Sequence, residues 1–298
     1  MRVTITGACG FIGRTLISEL EQRGHELLLV DRTRPEEATM FVPGGRVSAP
    51  FATEWPFELA DIMDQAAMRR IAEQSEAIVH LAGIPSGLPE HGRETFHYNA
   101  GGTYVLLDAA RLGGVSRFVA ASSINAFGTF YWRIREQPIR YSHLPLTEAF
   151  PPEPQDPYSL SKLVNELTCA SFHRAYGIQT TALRFGGVWS DDVYDRAMDQ
   201  GLQPTAAWSD DLFTWVHVRD IAKGIRQALE APEMPGYGAY TLNASDTSCP
   251  EPTMELIRSL RPDYLRALTS EIHGRDALIS SAKARETFGF EPAYRLEG

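Results

Sequence analysis

Tyr158 and Lys162 are the residues of this chain whose types and spacing most directly suggest chemistry. They lie four positions apart at the start of a predicted helix, after Asp156-Pro157, so their side chains share one helix face. A phenol with a pKa of about 10 is a poor base at neutral pH, but a nearby ammonium group stabilises the phenolate and lowers that pKa. We therefore expect Tyr158 to take a proton from a substrate hydroxyl. An ordinary surface pair on a helix would show the same spacing.

Ser122 and Ser123 follow the predicted strand Arg117–Ala121 and offer hydroxyl groups for the same reaction. In open α/β sheets, ligands bind outside the carboxyl ends of the strands, which is where these serines fall. A hydroxyl there can donate a hydrogen bond to a substrate oxygen as that oxygen becomes a carbonyl. The serines and the Tyr-Lys pair occur in the order expected for adjacent strand ends, which favours redox chemistry at a hydroxyl.

A glycine-rich turn joins the first predicted strand to the first predicted helix, with glycines at Gly7, Gly10 and Gly13. The first permits a tight turn, the second lets the backbone approach a pyrophosphate, and the third lets the helix pack on the strand. The amino end of the helix, at Phe11 and Ile12, offers N–H groups and a partial positive charge to phosphates. A tight turn without a ligand would have the same letters, so the acid that follows the next strand is important.

Asp31 ends the second predicted strand, where an acid can accept hydrogen bonds from both ribose hydroxyls of a dinucleotide. Its carboxylate would repel a 2′-phosphate, so we predict NAD rather than NADP as the cofactor. Arg32 and Arg34 argue in the other direction, because an arginine beside this position can hold that phosphate. The substrate carbon whose hydroxyl loses its proton to Tyr158 would pass a hydride to the nicotinamide.

Short apolar runs alternate with longer amphipathic stretches, which indicates βαβ units around a parallel sheet. The predicted strands are Val3–Thr6, Glu26–Val30, Ala77–Leu81, Arg117–Ala121 and Thr180–Phe185, and the predicted helices are Ile12–Arg23, Asp64–Glu73, Glu94–Leu112 and Ser159–Tyr176. We expect an α/β fold, a Rossmann-type doubly wound parallel sheet with a small interwoven C-terminal substrate lobe. The NAD-binding domain would span residues 1–185, with 215–230 returning to it, and residues 186–298 would form most of the lobe.

The overall composition argues against several other classes of protein. The net charge of −10 disfavours a nucleic-acid partner. The three cysteines, Cys9, Cys169 and Cys249, have no metal-ligand spacing and indicate a reducing compartment, so we expect a cytoplasmic protein without a metal. The sequence contains no run of 18 apolar residues, and its first strand is too short for a signal-peptide core, so we expect no membrane association.

Several short motifs occur in order along the chain. They are Thr6–Gly13, Asp31, Ala60–Ile62, His80–Gly83, Asn99 with Gly102-Thr103, Ser122-Ser123, Tyr158–Lys162, Leu183–Phe185, Val216–Asp220, Ala282–Arg285 and Gly289–Pro292. Together they resemble the extended short-chain dehydrogenase/reductase superfamily, in its NAD-dependent epimerase/dehydratase group, over nearly the whole chain.

This resemblance implies roles for further residues. Asp61 would hold the adenine amino group, Asn99 would brace its helix and an active-site water, and Lys162 would also bridge the nicotinamide ribose. Ser123 would be the catalytic hydroxyl, with Ser122 as the nearby alternative. The implied cofactor-binding set is Gly7, Gly10, Phe11, Ile12, Gly13, Asp31, Arg32, Asp61, Ile62, Leu81, Ala82, Gly83, Asn99, Tyr158 and Lys162.

The substrate side departs from the nucleotide-sugar members of the family, which usually carry an asparagine and then Tyr-Gly after the sixth strand. Here that stretch is Gly186–Ser190, and the segment leading to Trp215 is short, so the chain resembles uronate dehydrogenase and related small-substrate members. The long loop after Ser123 contains Phe130–Arg135, whose rings can stack on sugars and whose arginines can hold a carboxylate. A packed surface loop with solvated arginines is the alternative. Candidate substrate contacts are Ser122, Asn125, Trp132, Arg133, Arg184 and Gly187.

We therefore expect an NAD-dependent oxidoreductase acting on a hydroxyl of a small sugar or sugar acid. A nucleotide-sugar epimerase with tightly bound NAD stays open as an alternative, as does a non-catalytic dinucleotide sensor, although sensors have typically lost the tyrosine or the lysine. A dehydratase is disfavoured because Ile124 and Asn125, not an Asp-Glu pair, follow the serines. The resemblance also implies a homodimer formed through the helices Glu94–Leu112 and Ser159–Tyr176.

Overall fold

A seven-stranded parallel sheet forms the centre of the computed structural model, which describes residues 1–42, 45–128, 134 and 139–296. The strands of the chain are β1 (Arg2–Thr6), β2 (Glu26–Asp31), β3 (Thr39–Val42), β4 (Gly45–Ser48), β5 (Phe57–Leu59), β6 (Ala77–His80), β7 (Arg117–Ser123), β8 (Gln179–Phe185), β9 (Val188–Trp189), β10 (Val216–His217) and β11 (Tyr237–Leu242). The sheet order is β11-β8-β7-β6-β1-β2-β5, while β9 pairs with β10 and β3 with β4. The sheet therefore contains β5 and β11 in addition to the five strands predicted from the sequence.

Helices cover both faces of this sheet, as the alternation of strands and helices predicts. They are α1 (Phe11–Glu21), α2 (Gln65–Ala72), α3 (Gly92–Gly113), α4 (Pro157–Tyr176), α5 (Asp191–Gln200), α6 (Val218–Glu230), α7 (Thr253–Leu260) and α8 (Ala282–Phe288). One apolar core joins α1 and α6 to the sheet through residues such as Leu16 and Ile225. A second core on the opposite face contains Leu106 and Phe118. The predicted α/β fold with a doubly wound parallel sheet is confirmed.

The amino end of α4 is set by a side-chain cap. Asp156 Oδ1 accepts a hydrogen bond from the backbone N–H of Ser159 at 2.9 Å, and the Ser159 hydroxyl donates to the same carboxylate. Pro157 occupies the first helical position, where the N–H that proline lacks would have no intrahelical partner. Such a cap stabilises a helix by about 1 kcal/mol. The cap therefore places Tyr158 in the first turn of α4.

Residues beyond β8 are interwoven with the sheet. β11 (residues 237–242) lies beside β8 in the sheet, and Arg226 of α6 binds Glu19 of α1. The return of residues 215–230 to the first domain stays a prediction. At the carboxyl edge, Leu144 and Leu146 form isolated bridges with Leu268 and Ile279. The division between domains near residue 185 stays a prediction.

A terminal segment, residues 293–296, is held by two acidic side chains. Asp220 accepts hydrogen bonds from the backbone N–H groups of Ala293 and Tyr294 at 2.9 and 3.1 Å. Asp246 accepts one from the backbone N–H of Leu296 at 2.9 Å. The ring of Tyr294 stacks on His217, with centroids 3.6 Å apart. His217 and Asp220 thus make structural contacts with this segment. Among the described residues, no helix has the length and apolar character needed to span a membrane.

Candidate active site

The turn after β1 leaves no room for side chains at two of its glycines. Gly7 has a φ of +73°, and a Cβ there would lie 2.6 Å from the backbone N of Ala82. A Cβ at Gly13 would lie 2.5 Å from the Gly7 carbonyl oxygen. Gly10 stands just before α1, so Phe11 and Ile12 open the helix with N–H groups that have no partner within it. This bare backbone at a helix amino end fits a pyrophosphate, and no metal-ligand cluster occurs among the described residues.

Asp31 is fixed beside this turn by two backbone hydrogen bonds. Its Oδ2 accepts from the Cys9 N–H at 3.0 Å and its Oδ1 from the Thr33 N–H at 3.1 Å. Each carboxylate oxygen keeps a further lone pair, so the side chain can still accept from ribose hydroxyls. The guanidinium of Arg32 lies over the Tyr98 ring, 5.0 Å from its centroid.

The loop after β5 carries Asp61 and Ile62 to α3. Ile62 is buried, and Asp61 is exposed, with its Oδ1 accepting from the Met63 N–H at 2.9 Å. Burial, with a smaller effect from the nearby Asp61 charge, raises the pKa of Tyr98 on α3 to about 12. Tyr98 is not among the residues predicted from the sequence, because a tyrosine inside a helix carries no motif of its own.

The segment after β6 lies against the glycine turn and is held by Asn99. Leu81 and Ala82 are partly buried, while Gly83 is exposed. Asn99 Oδ1 accepts from the Ile84 N–H at 2.7 Å, and Asn99 Nδ2 donates to the Ser161 hydroxyl at 3.1 Å. Asn99 therefore braces α3 against both this segment and α4.

His80 forms a buried polar link between β1, β6 and α3. Its Nδ1 lies 2.8 Å from the Thr6 hydroxyl and its Nε2 lies 3.1 Å from the Thr103 hydroxyl. Burial, with a smaller effect from the Lys162 charge, lowers the pKa of His80 to about 3. The imidazole is therefore neutral, and it holds the strand ends that carry the cofactor-facing segments.

Tyr158, Ser123 and Lys162 meet at the carboxyl end of β7. The Ser123 hydroxyl acts on the Tyr158 phenol in the direction that lowers its pKa, and Ser123 Oγ accepts from the Asn125 N–H at 3.1 Å. Lys162 Nζ donates to the Ala121 carbonyl at 2.9 Å and lies 5.5 Å from the centroid of the Tyr158 ring. The structure thus brings the three predicted catalytic side chains together.

Burial shifts the pKa values of Tyr158 and Lys162 in opposite directions. Burial raises the pKa of Tyr158 to about 12, although the Ser123 hydroxyl acts in the opposite direction. Burial also lowers the pKa of Lys162 to about 8, against the opposing charge of Glu166. These pKa directions belong to the protein without a cofactor, so an acidic phenol beside Lys162 and a bound nicotinamide ring stays a prediction.

Ser122 and Arg184, two predicted substrate contacts, bind a buried carboxylate. Glu166 accepts from Ser122 Oγ at 2.6 Å, from Arg184 Nε at 2.8 Å and from Arg184 Nη2 at 2.7 Å. The Arg184 guanidinium also stacks on the Phe127 ring, 4.3 Å from its centroid. All three members of this network are less than 5% exposed. Arg184 Nη1 has no hydrogen-bond partner among the described residues, and the substrate role of Ser122 and Arg184 stays a prediction.

Of the remaining predicted substrate contacts, Asn125 and Gly187 lie in the described part of the chain. Asn125 is buried two residues after Ser123, and its Oδ1 has no hydrogen-bond partner in the part of the chain that the structure describes. Gly187 follows β8, and a Cβ there would lie 3.0 Å from the Thr214 carbonyl oxygen. Trp132 and Arg133 lie outside the described residues.

Comparisons with known proteins match nearly the whole chain. The family model of the NAD dependent epimerase/dehydratase family matches residues 3–242. An uncharacterised epimerase/dehydratase of Staphylococcus saprophyticus is 25% identical, covering 99% of this chain and 93% of the relative. A UDP-glucose 4-epimerase of Corynebacterium glutamicum is 24% identical, covering 99% of this chain and 92% of the relative.

Two solved structures share the fold. A short-chain dehydrogenase/reductase superfamily protein of Agrobacterium tumefaciens with bound NAD has a TM-score of 0.71 and 22% identity, covering 99% of this chain and 94% of that one. A UDP-glucose 4-epimerase of Thermotoga maritima with UDP-glucose has a TM-score of 0.69 and 22% identity, covering 99% and 95%. The chain belongs to the NAD-dependent epimerase/dehydratase family. It is an enzyme, and its cofactor is NAD.

Proposed function

We propose that this enzyme oxidises a hydroxyl of a small sugar or sugar acid, with Tyr158, Lys162 and Ser123 as the catalytic residues. The observation that carries the proposal is the Lys162 ammonium over the Tyr158 ring, 5.5 Å from its centroid, with the Ser123 hydroxyl acting on the same phenol. The substrate hydroxyl loses its proton and its carbon loses a hydride, so the product is a carbonyl compound, NADH and a proton.

Each side chain has a defined part in this reaction. Ser123 donates a hydrogen bond to the substrate oxygen, and Tyr158 receives the hydroxyl proton. When bound, NAD supplies the hydride acceptor and a positive ring charge, which favours the phenolate of Tyr158. Lys162, held by the Ala121 carbonyl, adds a second positive charge while its ammonium is protonated. In the enzyme without a cofactor, the raised pKa of Tyr158 keeps the phenol protonated. The phenolate becomes favourable when NAD binds beside the charged Lys162 ammonium.

The charge of residues 186–215 supports a small substrate. This stretch contains six aspartates and one arginine, and it includes α5, whose residues are all at least partly exposed. A nucleotide diphosphate carries several negative charges, so an acidic stretch raises the free energy of binding it. The two glycines after β8, Gly186 and Gly187, also offer no side chain to hold a nucleotide.

A panel of substrates tests the proposal. Free sugars, uronates and nucleotide sugars are each incubated with the enzyme and NAD, and NADH is followed by its absorbance. We expect NADH with at least one free sugar or uronate and none with nucleotide sugars. Activity confined to nucleotide sugars would reject the small-substrate proposal.

A nucleotide-sugar epimerase is the second candidate, favoured by the similarity to the C. glutamicum UDP-glucose 4-epimerase over nearly the full length of both chains. Such an enzyme would be purified with NAD bound and would interconvert sugars without releasing NADH. Extraction of the cofactor from the purified protein, together with the NADH assay, distinguishes the two candidates.

We also propose that the enzyme is a homodimer formed through the outer faces of α3 and α4. Tyr104 on α3 is 57% exposed, and Leu160 and Leu167 on α4 are 42% and 59% exposed. These apolar side chains on two adjacent helices offer a self-complementary surface for a second copy related by a twofold axis.

A further inference from the structure

We propose that Thr214 is a specificity-determining residue that binds a sugar hydroxyl other than the one that is oxidised. A strained turn formed by residues 209–214 holds it beside the strand ends that carry the catalytic side chains. The inference rests on the proposed oxidation of a small sugar or sugar acid, and it adds a residue that lies outside the sequence motifs.

Two buried residues of this turn have a left-handed backbone. Leu212 and Phe213 have φ values of +56° and +55°, and the residues are 0% and 6% exposed. A residue with a Cβ is disfavoured at such φ values, so this conformation persists only where the surrounding contacts impose it. Strain of this kind is concentrated at functional sites. Two such residues in succession therefore point to a role for the residue that they place.

Hydrogen bonds fix the backbone of the turn. Asp211 Oδ1 accepts from the Phe213 N–H at 2.8 Å, and the Asp211 carbonyl accepts from the Thr214 N–H at 3.2 Å. The Phe213 carbonyl accepts from Ser248 twice, from its N–H at 2.9 Å and from its hydroxyl at 3.2 Å. Because these bonds hold the peptide groups on the amino side of Thr214, the residue has a defined position.

The turn brings Thr214 to the loop that follows β8. A Cβ at Gly187 would lie 3.0 Å from the Thr214 carbonyl oxygen, and the Val216 N–H donates to the Gly187 carbonyl at 2.8 Å. Ser123 is paired with Phe185 in the register of β7 and β8, so Gly187 comes two residues after the partner of the catalytic serine. Two residues span at most about 7 Å. One sugar molecule can therefore contact both Ser123 and Thr214.

The packing of the next two residues shows which face Thr214 occupies. Trp215 packs with Leu296 near the end of the chain, whereas Val216 belongs to the apolar core against which Leu81 packs. Successive side chains thus point to opposite faces here, and Thr214 lies on the same face as Val216. This is the face of the predicted cofactor-binding segment after β6, where a substrate must meet the nicotinamide ring.

The Thr214 hydroxyl is buried without a partner. The residue is 5% exposed, and its Oγ1 has no hydrogen-bond partner within the described parts of the chain. Asn125 Oδ1 is in the same state beyond the end of β7, in a residue that is 6% exposed. Such buried atoms raise the free energy of the protein unless a ligand or water completes them. A sugar hydroxyl can donate to Asn125 and can donate to or accept from Thr214, so a polyhydroxylated substrate fits both.

Sugars that differ in single hydroxyl groups test this proposal. NADH formation is measured with D-glucose, 2-deoxy-D-glucose, D-galactose, D-fucose, D-glucuronate and D-galacturonate. We expect Thr214→Val to lower kcat/KM by about ten- to a hundredfold on a substrate that carries the recognised hydroxyl, because that hydroxyl is then buried without its partner. On the analogue in which the hydroxyl is missing or inverted, the loss should be about threefold or less, since the hydrogen bond is already absent.

Two further variants separate recognition of a hydroxyl from a general loss of structure. Thr214→Ser keeps the hydroxyl and should retain the discrimination between analogues. Thr241→Val removes another buried hydroxyl that has no partner among the described residues, but on β11, level with Arg184 and inside the sheet edge. It should change kcat/KM by the same small factor for every substrate.

The outcomes distinguish this inference from the function on which it rests. A Thr214→Val loss that is equal for every analogue, or no loss at all, would overturn the role of Thr214 and leave the proposed oxidation standing. The same holds if Thr214→Ser discriminates no better than Thr214→Val. NADH formed with none of the free sugars and uronates would reject the proposed function, and this inference with it.

Discussion

Replacement of Glu166 by glutamine should be among the most damaging single changes near the active site. The carboxylate accepts three hydrogen bonds from Ser122 and Arg184, and the guanidinium is 4% exposed. Removing one partner of a buried ion pair leaves the other charge uncompensated and costs about 3–5 kcal/mol. Because native proteins are stable by only about 5–15 kcal/mol, Glu166→Gln should remove a large part of the free energy of unfolding.

Urea unfolding of three variants measures this cost. Glu166→Gln should lower the midpoint with little change in slope. Adding Arg184→Met should recover part of the loss, since the unpaired charge is then gone while an apolar chain still packs on Phe127. A matched control is Glu73→Gln, which removes the exposed partner of Arg69 on α2 and should cost less than about 1 kcal/mol. A Glu166→Gln loss as small as that of the control would refute the reasoning.

The pH profile of activity tests a second effect of Glu166→Gln, its effect on the pKa of Lys162. Glu166 opposes the effect of burial on Lys162, whose pKa is lowered to about 8. Without that negative charge, and beside an unpaired Arg184, the Lys162 ammonium loses its proton at lower pH. The alkaline limb of kcat/KM should therefore move to lower pH in Glu166→Gln. A limb that stays in place or moves upward would show that Glu166 does not act on Lys162.

Three other changes test separate parts of the molecule. Tyr158→Phe should reduce turnover by about 10²–10⁴-fold while NADH binding persists; unchanged turnover would remove Tyr158 from catalysis. Burial holds the His80 pKa near 3, so below about pH 6.5 the unfolded chain binds a proton that the folded chain does not. As the pH is lowered, the free energy of unfolding should then fall by up to about 1.4 kcal/mol per pH unit. In urea titrations at pH 7 and pH 5, the His80→Gln variant should show a smaller fall. Leu167→Glu should convert a dimer into a monomer in sedimentation experiments, whereas an unchanged mass would exclude α4 from the interface.

The periodic parts of the fold could be predicted from the sequence, and the irregular parts could not. Strands buried on both faces, such as β6 and β7, read as apolar runs bounded by polar residues, and their prediction is confirmed. β5 has only three residues, Phe57–Leu59, and β11 lies at the sheet edge with the small residues Gly238 and Ala239 interrupting its apolar pattern. The hairpin of β3 and β4 depends on pairing between its own two short strands, which a periodicity in one segment does not reveal.

The candidate active site likewise has parts that could be predicted from the sequence and parts that could not. The glycine turn and the Tyr-Lys pair were predictable because their chemistry demands a fixed local spacing. The partners of Ser122 and Arg184 were not, since Glu166 comes from a different element and only the packing of α4 on β7 and β8 brings the three together. The effect of burial on the pKa of Tyr158 could not be predicted for the same reason, because desolvation depends on every surrounding element.

The anchoring of residues 293–296 makes two distant acids depend on this segment. In a variant that lacks the segment, Asp220 would lose both backbone donors, whereas Asp246 would lose one and keep its bonds to Trp215 and Arg275. A buried carboxylate without donors raises the free energy of the folded state. Removal of the segment should therefore disturb the packing around Asp220 more than the glycine turn after β1.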